Sequence, residues 1–321
     1  MIIAKTPLRL SLFGGSTDYE SFYKDHGSFL IGTTIDKYSY LSMRFRPKVL
    51  SKENLVVYSQ MNYAKTFDDI QNPLIRETLK YGGVKDFVEL FSFADIPSRT
   101  GLGGSSSYCV GLLYLINKLY ERPELTTKQL VCDAITIERT ILKEAGGIQD
   151  SIWPAYGGLN SIEINTDGDF FVKPLPVTED FYKEFEESVV LIYTNEQRNK
   201  EDIAKSHDST DKDKTRILEI SKEAYGCFVK ENIRGIGHLM YETWKEKRNL
   251  SPLISNPKVD ETIAAVIRDG AYGAKLLGAG GCGFVMAVCH PVAKSKILQR
   301  FGDDVLPIRF ESKGVSTIHN V

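Results

Sequence analysis

No apolar stretch in this sequence approaches the roughly 20 residues that a membrane-crossing helix needs, so no membrane association is expected. The opening MIIAKTPLRLSLFGG is too short in its apolar run, and too soon charged, for a signal peptide. A basic excess is missing as well. The formal net charge is −2, which leaves little to neutralise the phosphates of a duplex and predicts no nucleic-acid partner. The five cysteines (109, 132, 227, 282 and 289) include no CxxC pair and are odd in number. They read as reduced thiols of a cytoplasmic protein, neither a disulfide framework nor a zinc site. The five histidines are scattered, so no metal is assigned to Cys or His. No repeat or low-complexity linker is visible.

What is present is a globular composition, 42% hydrophobic and 26% charged over 321 residues, enough for two domains. Strand-like alternation occupies Ile2–Phe13, Tyr38–Phe45, Leu55–Tyr58 and Val88–Phe93. The period then changes. Cys109, Leu112, Leu113, Ile116 and Leu119 mark one face of a helix, with Ser105 to Ser107 placed where N-cap hydroxyls belong. A second helix carries Leu130, Ala134, Ile137 and Ile141 and is expected to close at Gly146-Gly147. After the apolar strand SVVLIYT at 188–194 come three helical patterns, near 214–230, 235–248 and 258–269. A strand–loop–strand follows at 274–289, then a helix and a final strand. The domain boundary is expected near 175–187, where Pro174 and Pro176 break a strand, giving domains 1–180 and 181–321.

Three glycine-rich segments punctuate the chain. In Gly101-Leu102-Gly103-Gly104-Ser105-Ser106-Ser107 the glycines let backbone amides converge, and the helix behind them adds its unsatisfied N–H groups and dipole. That combination suits nucleotide phosphates; the plainer alternative is a strand-to-helix turn that binds nothing. No Gly-Lys-Ser/Thr closes the loop, so it is not a Walker A sequence. Gly278-Ala279-Gly280-Gly281-Cys282-Gly283 matches GxGxxG, yet the β-type run FVMAVC follows where a dinucleotide fingerprint would open a helix. A tight loop between two strands is expected. The segment LFGGSTDY at 12–19 offers hydroxyls and Asp18 in a short turn; a polyhydroxylated ligand and an Asx-type turn account for it equally. Glu138 and Asp150 are of the residue type phosphoryl transfer needs, one to feed a divalent cation and one beside the attacking hydroxyl. Taken singly, each reads as an ordinary surface carboxylate.

In this order, TPLRLSLFGGSTDY, Pro97–Ser106 and KLLGAGGCGF (275–284) resemble the galactokinase, homoserine kinase, mevalonate kinase and phosphomevalonate kinase superfamily. The resemblance covers most of the chain. It implies a two-domain α+β GHMP kinase fold, with an N-terminal domain like ribosomal protein S5 domain 2 and a C-terminal ferredoxin-like domain. It also implies ATP and Mg2+ as cofactors and a small-molecule acceptor. IPSRTGLGGSSS and GGIQDSIWPAYGGLNSIEI look most like the bacterial D-glycero-D-manno-heptose 7-phosphate kinases, which implies transfer to an anomeric C1 hydroxyl; the alternatives are another GHMP sugar kinase, fucokinase-like or acting on another free sugar, and a catalytically inactive sugar-binding regulator. By the same resemblance Asp150 is the base or orienting group and Arg9 the basic residue near the transferred phosphoryl. Residues 101–107 hold ATP phosphates, Glu138 and Ser105 hold Mg2+, and Gly15, Ser16, Thr17, Asp18, Gly280 and Gly281 hold the sugar. Gly104 stands where many members carry a metal-binding serine, and Cys282 replaces a common glycine. Arg44, Arg46, Arg99, Arg198 and Lys200 are candidates for an acceptor phosphate; for Arg44 and Arg46, with Lys48, a solvated strand end is the alternative. A monomer or homodimer is expected.

Overall fold

A computed structural model describes residues 1–49, 51–98, 100–195 and 211–320. The chain opens with strand β1 (Ile2–Phe13) and helix α1 (Glu20–His26), then the 18-residue strand β2 (Ser28–Phe45). The short hairpin β3 (Asn54–Val57) and β4 (Met61–Ala64) follows, then helix α2 (Pro73–Tyr81) and β5 (Val88–Ala94). Helices α3 (Gly104–Leu119), α4 (Thr127–Ile135) and α5 (Gln149–Tyr156) lead to strands β6 (Asn160–Ile164) and β7 (Phe170–Pro174). β1 pairs antiparallel with β2 along nearly its whole length. The register slips at Pro7, which has no N–H to give to the ladder. β2 is long enough to take β6 along its first half and β5 along its second.

Beyond Thr6 every residue of β1 is buried, because the sheet is covered on both faces there. α3 lies on one face, close enough to β1 that a Cβ at Gly111 would come within 2.5 Å of the Thr6 hydroxyl. α3 itself is buried nearly all round, not along the single stripe its period suggested. On the other face, Phe13 and Ile31 join Phe181, Phe185 and Phe228 from the second half of the chain.

That half contains α6 (Glu179–Ser188), β8 (Val189–Tyr193), α7 (Asp211–Val229), α8 (Ile233–Asn249) and α9 (Pro257–Arg268). β9 (Ala271–Leu276), β10 (Phe284–Cys289), α10 (Pro291–Phe301) and β11 (Val305–Leu306) complete it. Its antiparallel sheet runs β11-β8-β10-β9 in space, the order of a ferredoxin-like β-α-β-β-α-β unit. In β10, Met286 and Val288 face one core while Val285 and Ala287 face another, so this sheet too is covered twice.

The assignment of residues 181–321 to one domain needs correction at its tail. β12 (Phe310–Glu311) pairs with β2, and β13 (Ser316–Asn320) pairs with β1, so the last strands belong to the first sheet. No described helix is long and apolar enough to cross a membrane.

Candidate active site

The phosphate loop enters from the end of β5. Gly101 and Gly103 take the left-handed conformation, and Gly103 serves as N-cap of α3. This corrects the expectation that Ser105–Ser107 cap the helix: they lie in its first turn and supply no cap bond. The Ser107 hydroxyl donates to the Pro7 carbonyl at 3.0 Å, tying the helix to β1. Nothing lies within 4 Å of a Cβ built on Gly104, so the mouth of the helix N-terminus is open to a ligand.

Arg9, buried on β1, reaches beneath this loop. Its Nη1 donates to the Gly101 carbonyl at 2.6 Å, while Nε and Nη2 both reach Asp150 Oδ1, at 2.9 and 2.8 Å. Asp150, on the first turn of α5, is the more open partner, its side chain 28% exposed against 4% for Arg9. The two residues assigned catalytic roles are therefore one ion pair at the edge of the phosphate loop.

Glu138 is not a surface carboxylate. The helix carrying it stops being α-helical at Ile135 and continues as a π-turn over Thr136–Ile141. The wider turn puts Ile141, expected in the core, on the surface and leaves Glu138 fully buried. Its Oε1 accepts from the Ser106 hydroxyl and its Oε2 from the Ser151 hydroxyl, each at 2.8 Å. Burial pushes its carboxyl upward; Arg139 and the two serine hydroxyls act against that. Ser105, expected to share a metal with Glu138, is exposed instead, and Ser106 is the hydroxyl at the carboxylate. Among the described residues there is no cluster of three or more metal-type ligands. A nucleotide-bound Mg2+ takes only one or two protein carboxylates, with phosphates and water supplying the rest. A buried carboxylate beside a phosphate loop fits that demand.

The LFGGSTDY turn is split in its contributions. Thr17 is buried, its hydroxyl donating to the Gly14 carbonyl at 2.7 Å and lying 2.5 Å from the Ser28 hydroxyl. Its hydroxyl is thus engaged by the turn itself. Ser16 adopts a positive φ, and its amide donates to Asp18 Oδ1 at 3.1 Å. Asp18 Oδ2 accepts from the Gln149 amide at 3.2 Å. A side chain at Gly147 would overlap the Asp18 carboxylate, so this glycine makes the approach possible. Burial, and then the charge of Asp150, push Asp18 up to about 6, against its hydrogen bonds. Beside half-buried Gly15, the buried Ser11 Oγ and Gln149 Oε1 have no hydrogen-bond partner.

The loop at 278–283 does join two antiparallel strands, β9 and β10. Gly280 and Gly281, expected to hold the sugar, bond and pack against the segment at 254–256. The Gly281 amide donates to Ile254 O and its carbonyl accepts from Asn256, both at 2.8 Å, and Gly280 packs on Ile254. It is Gly278 that meets the phosphate loop: a Cβ there would lie 2.5 Å from the Gly101 Cα.

Two residues that sequence reasoning left unassigned complete the cluster. Lys247 on α8 donates to the Gly278 carbonyl, and Lys275 on β9 donates to Leu12 O at 2.8 Å. Both are buried. Burial pushes Lys247 down to about 8, with Arg9 adding to the effect and Asp18 and Asp150 opposing it. Lys275 is pushed well below the usual lysine range by burial, then by Lys247 and Arg9. A signal for Lys247 existed: it continues the buried helical stripe of Ile236, Met240 and Trp244, where an apolar residue belongs. Of the acceptor-phosphate candidates, Arg44 and Arg46 pair with Glu89 and Lys48 with Asp86, as a solvated strand end does. Arg99, Arg198 and Lys200 lie outside the described residues.

The GHMP kinases N-terminal domain matches residues 65–158, and the GHMP kinases C-terminal domain matches 224–305. Together the matches span over half of the chain, and the chain belongs to the GHMP kinases. It is an enzyme, a phosphotransferase with an alcohol group as acceptor. The D-glycero-alpha-D-manno-heptose 7-phosphate kinase of Campylobacter jejuni subsp. jejuni is 25% identical, over 98% of each chain. The galactokinase of Pyrococcus furiosus is also 25% identical, over 95% of this chain and 92% of its own. A crystal structure described as a D-glycero-D-manno-heptose 1-phosphate kinase from Bacteroides thetaiotaomicron superposes with a TM-score of 0.82 at 21% identity, over 100% of both chains.

Proposed function

We propose that the protein transfers the γ-phosphoryl group of ATP to the anomeric C1 hydroxyl of D-glycero-D-manno-heptose 7-phosphate. The product is the 1,7-bisphosphate, a precursor of nucleotide-activated heptose for surface polysaccharide. The observation that carries the reading is the Arg9–Asp150 pair, whose guanidinium also bonds Gly101 of the phosphate loop. That bond links the group that orients an acceptor hydroxyl to the loop that holds the donor.

In this reading the α3 amides hold the donor phosphates. Glu138, with Ser106 beside it, would hold Mg2+, which neutralises phosphate charge when bound. Arg9 leaves Asp150 Oδ2 for the acceptor hydroxyl, so Asp150 orients that hydroxyl and accepts its proton. Because the transition state is loose, positioning and charge stabilisation carry most of the rate. Asp18, Ser11 and Gln149 supply polar partners for sugar hydroxyls; the last two bring buried atoms that still need a hydrogen bond. The similarity to a galactokinase favours one second reading, a kinase of a free sugar. ADP release measured over heptose 7-phosphate, fucose, galactose and mevalonate separates the two, and NMR of the product locates the new ester. Turnover with a free sugar and none with heptose 7-phosphate would overturn the first reading.

A further inference from the structure

Three buried cations meet at the junction of the two domains: Arg9 from β1, Lys247 from α8 and Lys275 from β9. Asp18 and Asp150 act on Lys247, and Asp150 pairs with Arg9, whereas Lys275 is acted on by the other two cations. Glu138 is not among these carboxylates, because its opposing cation is Arg139 on its own turn. Three cations gathered against two carboxylates leave an excess that is relieved either by proton loss from a lysine or by an anion that joins the group. Repulsion among the three works against their all being charged together, and a multiply charged ligand offsets it.

Where that anion sits follows from the contacts. Lys247 bonds the Gly278 carbonyl, and Gly278 packs directly on Gly101. Arg9 bonds the Gly101 carbonyl and Asp150. Both cations therefore flank the point where the phosphate loop meets the acceptor-orienting carboxylate. An ammonium has three donors, and the bond to Gly278 uses one. Ser106 and Glu138 approach the loop from the helix side, Lys247 from the other domain.

We propose that Lys247 is a catalytic residue, donating to the transferred phosphoryl group from the C-terminal domain while Arg9 supports it from the N-terminal one. This deepens the kinase reading above and rests on it. A loose transition state spreads charge over the equatorial phosphoryl oxygens, so a cation fixed there acts more on turnover than on nucleotide affinity.

The test compares wild type, K247M and K247R by kcat, KM for each substrate and equilibrium binding of ATP. K247M is expected to lose on the order of 10² or more in kcat, with ATP affinity changed less than about threefold and the melting temperature recorded alongside. K247R is expected to recover a tenth or more of the wild-type rate. If Lys247 only buttresses the Gly278 loop, ATP affinity and kcat fall together, and the proposal is overturned. Should K247M not fold, the pH profile of kcat/KM decides. Arg9, Lys275, Asp18 and Asp150 face Lys247; burial, helped by Arg9 and opposed by Asp18 and Asp150, pushes it down to about 8. Wild type should then decline above pH 8 while K247R stays level to pH 9; identical profiles would count against the role. Wild-type protein inactive with every acceptor would instead defeat the kinase reading itself.

Discussion

Asp150 and Asp18 lie in one cluster yet are held differently. Asp150 is partly open and ion-paired, whereas Asp18 is sealed and answers to backbone amides. Replacing Asp150 by alanine is expected to leave ATP binding nearly intact and to cut turnover by a factor on the order of 10² or more. Steady-state kinetics beside equilibrium nucleotide binding reads both quantities. For Asp18 the consequence is in stability. Its folded-state value, about 6, stands above the ordinary 3.8, so the fold disfavours its charged form. The cost is absent below pH 4, grows as pH rises through 6, and levels off above it, at most on the order of 3 kcal/mol. The melting temperature of D18N minus that of wild type should therefore become more positive between pH 4 and 7. A difference that stays constant across that range would show that Asp18 does not titrate there.

At the scale of elements, two glycine loops from different domains touch backbone to backbone, at Gly101 and Gly278. Alanine at Gly278 must push the phosphate loop, since its φ is +72° and its Cβ would lie 2.5 Å from Gly101. ATP affinity is expected to fall about tenfold or more, measured by titration calorimetry. Alanine at Gly302 also sits at positive φ but meets nothing within 4 Å, so it should leave ATP affinity unchanged. Much of this architecture was legible from local pattern. β1, the existence of α3, the three helices of the second half and the strand–loop–strand all follow from period and glycine. What pattern alone did not reveal was the π-turn that buries Glu138, because a one-residue widening leaves no trace in the spacing of Leu130, Ala134 and Ile137. The sugar-facing roles of Thr17, Gly280 and Gly281 came from motif position; only the structure reveals which neighbours take up their polar groups. Lys247 stood in plain view as a charge on an apolar stripe, but the acceptor of its hydrogen bond lies on a loop 31 residues further on, and Arg9 and Asp18 lie near the start of the chain.

Across the whole molecule, the chain's final strands close the first sheet, not the second. Removing residues 310–320 uncovers β1 and exposes the positions of β2 that pair with β12. Deleting them is expected to lower the melting temperature by several degrees or more. Kinase activity should fall as well, because β1 carries Arg9. A deletion that keeps full activity and melting temperature would show that the returning strands are dispensable.

The chain has two tryptophans, and the fold gives one to each domain. Trp153 lies three residues beyond Asp150 on α5, and Trp244 three before Lys247 on α8, both buried. Each therefore acts as a built-in optical reporter for its own domain. Replacing either by phenylalanine leaves a single emitter, so the response of each domain to nucleotide or sugar is readable separately, without an attached dye.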